Sequence, residues 1–186
     1  DPSAGDGALL AAARDLGVAP ECLQGIEVDA DLARRARARG LDVRCGDGLC
    51  GNPVGVCESS FDAVIGNPPY GRCSRAMSPA QLDSLVKGDG YSIASGGRAE
   101  GARRRLASLR AAAIEHLFLE RGLHLVRPGG LVVYVLPQGL FSNARTQVVR
   151  NWILERAEVL AVLALPAFVF RRPGLNATAA VLVLLR

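Results

Sequence analysis

The sequence predicts a doubly wound, mostly parallel α/β sheet. Three observations lead there. Short apolar runs of strand length alternate with segments of helical length, as in a sheet covered on both faces. Loops rich in glycine and aspartate punctuate the runs. The residues able to carry chemistry gather at the C-terminal ends of those runs, where open α/β sheets bind ligands.

A chain of 186 residues has room for one domain with a substantial core. With 49% hydrophobic and 22% charged residues it is globular rather than disordered. A net charge of +4 permits nucleic acid as a partner without requiring it. The five cysteines form no C-x-x-C pair, so no zinc site is expected and reduced, cytoplasmic thiols are the default. No apolar run reaches the ~18 residues that span a membrane, and no signal peptide opens the chain. The chain starts at Asp1-Pro2-Ser3 with no strand ahead of it and ends within the apolar run 179–185. A single domain over residues 1–186, cut from a longer polypeptide, is therefore expected.

Residues 1–7 (DPSAGDG) read as a glycine-rich loop, and 8–16 as a helix ended near Gly17. A strand over 22–28 carries Glu27 near its end. The segment 29–39 is helical, with Asp29 as cap and its arginines toward the C-terminus, as the helix dipole prefers. A third strand, 41–45, ends in Gly46-Asp47-Gly48. A fourth, 61–65, is stopped by Gly66-Asn67-Pro68-Pro69-Tyr70. The connection 70–101 is rich in Gly, Ser and Arg, with a weak helix over 79–86, and suits a substrate-side loop. One long helix is expected over 103–126, then a strand over 131–136, a helix over 144–156, and strands over 159–165 and 178–185.

Asn67 to Tyr70 forms a stiff loop at a strand end. Pro68 and Pro69 have fixed φ and no N–H, so the loop offers acceptors, the Asn67 side-chain oxygen and nearby carbonyls, beside a flat ring. That suits a planar group bearing an NH2. Standing alone, the motif is equally a Pro-rich turn with a surface tyrosine. In a parallel sheet, however, residues 1–7, Glu27, Asp47 and Asn67 share one edge and converge on one crevice. Gly5 and Gly7 let backbone N–H groups approach a ligand at a helix N-terminus. Glu27 fits a ribose-hydroxyl acceptor. Asp1 and Asp6 would repel phosphates but welcome a cation. An adenosine ligand with positive charge in place of phosphates is S-adenosylmethionine.

The ordered set D-P-x-x-G-x-G, G-I-E-V-D, G-D and N-P-P-Y resembles the adenine-N6 DNA methyltransferases, in the gamma-class arrangement of type I and type IIG restriction-modification systems. Residues 115–130, 131–141 and 164–185 are similar to that family's later helix, strand and final hairpin. The resemblance implies the seven-stranded, Rossmann-like sheet of class I S-adenosylmethionine-dependent methyltransferases, with the last strand antiparallel and the first truncated. It implies that Asp1, Ser3, Gly5 and Gly7 hold the methionine end of S-adenosylmethionine and that Glu27 holds its ribose. Asp47 would accept from the adenine amine, and Phe61 or Val28 would pack near that ring. Asn67 and the Pro68 carbonyl, backed by Pro69, would hold the amino group of a flipped-out target adenine. Tyr70 would stack on one face of that base and Phe170, or Phe168, on the other. Double-stranded DNA is the implied partner, with a specificity domain or subunit and a restriction subunit as further ones.

The nearest rivals are methyltransferases acting on a release-factor glutamine, whose amide poses the same problem, or on rRNA guanine N2. An inactive module of a DNA-binding complex is the non-enzymatic alternative. No Pro-Cys dipeptide supplies the nucleophile of the covalent cytosine route. His116, His124 and Tyr134 read as structural. Arg98, Arg103, Arg104, Arg105 and Arg110, with Arg171 and Arg172, are either solvated or phosphate contacts.

Overall fold

The computed structural model describes residues 1–50, 56–87, 91–95, 101–166 and 178–186. Six strands among them form two sheets. β1 (Gln24–Glu27) and β2 (Asp42–Cys45) pair in parallel. The second sheet has the order β3 (Phe61–Gly66), β4 (Val126–Pro137), β6 (Ala179–Leu185), β5 (Glu158–Ala164). β3 and β4 are parallel, while β6 runs antiparallel to both β4 and β5. The antiparallel last strand is therefore present.

Among the described residues the strands do not join into the single seven-stranded sheet expected. Residues 1–4 lie where the join would be. They lie along the edge of β1 opposite β2, where the Ile26 N–H donates to the Asp1 carbonyl and the Ala4 N–H to the Ile26 carbonyl, both at 2.9 Å. They adopt turn rather than strand conformation, so they occupy that edge without joining β1 to β3 as a ladder. A small cavity of about 30 Å³ lies between β1 and β3, lined by Asp1, Gly25, Ile26, Ala63 and Val64 among others.

The helices follow the expected pattern in the first half. α1 (Ala8–Asp15) starts after Gly7, whose φ of 81° suits glycine alone. A Cβ on Gly7 would collide with Leu41 and press on Ala36, so this glycine lets α1 pack closely on its neighbours. α2 (Ala30–Ala38) is capped by Asp29, whose carboxylate accepts from the Asp31 and Leu32 N–H groups. Leu10, Ala33, Ala36, Leu41 and Val43 form a small core on this side. A larger core, including Leu117, Leu119, Val132, Leu136 and Leu184, lies under the four-stranded sheet.

After β3 come the short α3 (Cys73–Ala76) and α4 (Pro79–Lys87). The single long helix expected next is in fact two: α5 (Ala102–Ala111) and α6 (Ile114–Leu125). Ala112 and Ala113 break it because their backbones are extended, with ψ of 154° and 135°. The backbone groups released there are satisfied by the loop after Tyr70. The Cys73 N–H donates to the Ala112 carbonyl at 2.9 Å, and the Ile114 N–H donates to the Gly71 carbonyl at 2.7 Å. An alanine-rich pattern has no local reason to break; a tertiary contact breaks it. Buried Glu120 on α6 takes the Ser92 and Ile93 N–H groups at 2.9 and 2.8 Å, tying those two residues to the helix. α7 (Gly139–Ser142) and α8 (Gln147–Leu154) complete the chain's helices before β5.

Candidate active site

The C-terminal ends of β1, β2 and β3 and the loop at residues 1–7 open onto one cavity of about 410 Å³, within the range of small-molecule sites. Ser3, Gly5, Glu27, Val28, Asp47, Asn67 and Pro69 all line it. Seven of the residues singled out from the sequence are thus brought together. Asp1, Gly7, Pro68 and Tyr70 are not among the lining residues. Phe61 stands at the opposite end of β3, paired with Val126, so of the two candidates for the ring contact Val28 alone reaches the cavity.

Glu27 ties the loop at residues 1–7 to the segment that follows β1. The Gly5 N–H donates to Glu27 Oε2 at 2.7 Å, and the Asp29 N–H donates to Glu27 Oε1 at 2.9 Å. Glu27 is 8% exposed, so it is a buried carboxylate with one backbone donor on each oxygen. Each oxygen keeps a further lone pair for a ligand hydroxyl. Asp47 has a similar arrangement: its Oδ1 accepts from the Leu49 N–H at 2.9 Å. A Cβ on Gly48 would collide with the Pro2 carbonyl, so the two loops touch only because that position is glycine.

On the other side, Gly66 delivers Asn67. The buried ring of Tyr134 fills the space beneath it, and a Cβ there would come within 2.8 Å of the ring and 3.2 Å of the Asp1 carboxylate. Asn67 is exposed at the strand end and Pro68 is buried. The Tyr70 hydroxyl donates to Asn67 Oδ1 at 2.9 Å and approaches the Val135 carbonyl at 3.1 Å. The ring itself remains exposed. Burial, and then the charge of Glu115, push the Tyr70 hydroxyl up to about 12, so it stays a donor at neutral pH.

Glu115 was visible in the sequence without an assigned role. It is 7% exposed and accepts the Gly71 N–H at 3.0 Å, which pins the loop immediately after Tyr70. Burial pushes its carboxyl upward. His116 is half-buried, and desolvation lowers its imidazole to about 4 and keeps it neutral at pH 7. Phe168, Phe170, Arg98, Arg171 and Arg172 lie outside the described residues. Arg103, Arg104 and Arg110 are exposed on α5. All five cysteines are free thiols, and no three metal-ligating side chains gather among the described residues. No helix among them is long and apolar enough to cross a membrane.

With this geometry in view, comparison with known proteins is informative. The family model for the Eco57I restriction-modification methylase matches residues 52–170. The chain belongs to that family. Among solved structures it resembles a class I S-adenosylmethionine-dependent methyltransferase from Listeria monocytogenes, at a TM-score of 0.71 and 22% identity, over 99% of this chain and 51% of that one. The modification subunit of a type I restriction enzyme from Vibrio vulnificus matches at a TM-score of 0.65 and 18% identity, over 99% and 39%. The type IIG restriction endonuclease BpuSI matches at 0.66 and 20%, over 99% and 21%. At these identities the likeness is one of fold, that of class I methyltransferases. The chain spans about half or less of these three relatives. No curated protein sequence matches it.

Proposed function

We propose that this domain transfers a methyl group from S-adenosylmethionine to the N6 amino group of a flipped-out adenine in DNA, as the catalytic part of a restriction-modification system. One observation carries the reading. Asn67, an amide acceptor, shares a cavity with two carboxylates, Glu27 and Asp47, each held by a backbone N–H. The donor set fits the cofactor: Glu27 suits two ribose hydroxyls, Asp47 suits the adenine amine, and the loop carrying Ser3 and Gly5 suits the methionine end. Asp1, beside Gly66, and Gly7, at the start of α1, support that loop from behind.

When bound, S-adenosylmethionine supplies a methyl group made electrophilic by its sulfonium charge. The chain's own residues prepare the acceptor. An adenine amino nitrogen is a poor nucleophile because its lone pair is delocalised into the ring. The Asn67 oxygen and the Pro68 carbonyl accept its two hydrogens, draw the nitrogen toward tetrahedral geometry and localise the lone pair. Tyr70 stacks on the extruded base, with Phe170 as its partner on the other face. Stacking worth ~1–3 kcal/mol per base offsets part of the cost of flipping. The exposed arginines of α5 take phosphates. Specificity and restriction functions reside elsewhere in the system.

The deciding experiment is transfer of a labelled methyl group by the intact protein to adenine-containing DNA, to a release factor and to rRNA. Label on N6-methyladenine in DNA is expected. Label confined to the protein or the rRNA would replace this reading with one of its rivals.

A further inference from the structure

We infer that Gln81 is a specificity residue of the cofactor cavity, reading the purine edge together with Asp47. The inference rests on the S-adenosylmethionine reading above. It starts from a local motif. Ser78-Pro79-Ala80-Gln81 is a capping box. The Gln81 N–H donates to Ser78 Oγ at 3.3 Å, and the Ser78 N–H donates back to Gln81 Oε1 at 2.9 Å. The second bond fixes which way the carboxamide faces. Its oxygen turns toward the helix start, because a backbone N–H can only donate. Its nitrogen therefore faces away, and it donates to Asp47 Oδ2 at 2.5 Å. Asp47, a carboxylate, can only accept, so both ends of the amide agree on its orientation.

Capping α4 needs only the oxygen of Gln81. The nitrogen crosses to a loop of the other sheet, 34 positions away in sequence, and both residues line the cavity. An amide NH2 has two hydrogens, and Asp47 takes one. Asp47 likewise has a lone pair beyond those facing Leu49, Gln81 and the Cys50 thiol. The pair thus presents an acceptor beside a donor. Adenine carries the complementary pattern on adjacent atoms: the exocyclic amine donates and N1 accepts. Hypoxanthine inverts it, with a carbonyl in place of the amine and an N–H at position 1. A site built to hydrogen-bond one pattern rejects the other because its polar groups are left unpaired.

The test is calorimetric titration of the intact protein with S-adenosylhomocysteine and with S-inosylhomocysteine. The wild type is expected to prefer the adenosyl ligand. Gln81→Met removes the donor at similar volume. Gln81→Glu keeps an oxygen able to accept from the Ser78 N–H while replacing the donor with a charge that repels Asp47. Both variants are expected to lose about tenfold in affinity for the adenosyl ligand and little for the inosyl one, so that the preference shrinks about tenfold. Equal weakening toward both ligands would reduce Gln81 to a support of α4, and an unchanged preference would leave it no role in recognition. Either result overturns the inference alone. A wild type that binds neither ligand overturns the cofactor reading and the inference with it.

Discussion

The two halves of the crevice hold their acceptors by different means. On the cofactor side, Glu27 is gripped by the Gly5 and Asp29 N–H groups and Asp47 by that of Leu49, at 2.7 to 2.9 Å, with the Gln81 amide on the second Asp47 oxygen. Those bonds persist whatever binds, because the carboxylates have lone pairs to spare. On the target side, the Asn67 oxygen is held by a side chain, the exposed Tyr70, whose hydroxyl has a second acceptor in the Val135 carbonyl. A backbone grip makes a pre-formed site, with little ordering left for the ligand to drive. A hydroxyl grip makes an exchangeable one. On the proposed function, an incoming amino group would take the place of the Tyr70 O–H, and the difference would suit a small diffusible ligand on one side and an extruded base on the other.

The largest expected effect tests the target half directly. Asn67→Ala is expected to lower the transfer rate by ~10²–10³, the scale of a lost transition-state hydrogen bond, while S-adenosylhomocysteine binding stays within twofold. Loss of binding as well would merge the two halves into one and break the comparison. Next is pH. His116 stands beside Glu115, which pins the Tyr70 loop, and burial lowers its imidazole from 6.5 to about 4. Between those values the unfolded chain binds a proton that the folded chain does not. The contribution of His116 to stability is therefore full above pH 6.5 and is lost as pH drops toward 4, by up to ~3 kcal/mol, while Glu115, raised by burial, acts in the opposite sense. Melting temperatures across that window should show the decline, and His116→Gln should flatten it.

Glu27→Ala tests the backbone grip. It strands the Gly5 and Asp29 N–H groups, at ~1–3 kcal/mol in stability. Denaturant melts and calorimetry should show stability and nucleoside binding falling together. If binding falls alone, Glu27 is only a ligand contact and the loop stands without it. The smallest effects belong to Tyr70. Tyr70→Ala should cost ~1–3 kcal/mol in kcat/KM through lost stacking. Tyr70→Phe keeps the ring and frees the Asn67 oxygen, so kcat should change less than threefold and KM for DNA should not rise. A Phe variant as damaged as the Ala variant would make the hydroxyl a working part rather than a removable cap.

Much of this molecule can be read in order along the chain. Asp29 caps α2 and Gly66 ends β3, because each is a rule about neighbours within four residues. The shared edge of Glu27, Asp47 and Asn67 was legible too, since parallel strands force their C-terminal ends together. The division into two sheets was not legible, because it depends on residues 1–4 turning where a strand could run. Neither was the break at Ala112 and Ala113, where hydrogen bonds to Gly71 and Cys73 outweigh an alanine-rich helical pattern.

By itself, then, the sequence determined the helix caps, the strand ends and the set of acceptors at the crevice, all products of local chemistry and strand direction. Only the tertiary structure decided which groups hold those acceptors in place. It put the Gly5 amide on Glu27, the Gln81 nitrogen on Asp47, the Gly71 amide on Glu115, and the Tyr70 hydroxyl on both Asn67 and Val135. Apart from the Tyr70–Asn67 contact, these partners lie 22 to 65 positions apart, and no periodicity in a single chain encodes a hydrogen bond across that distance.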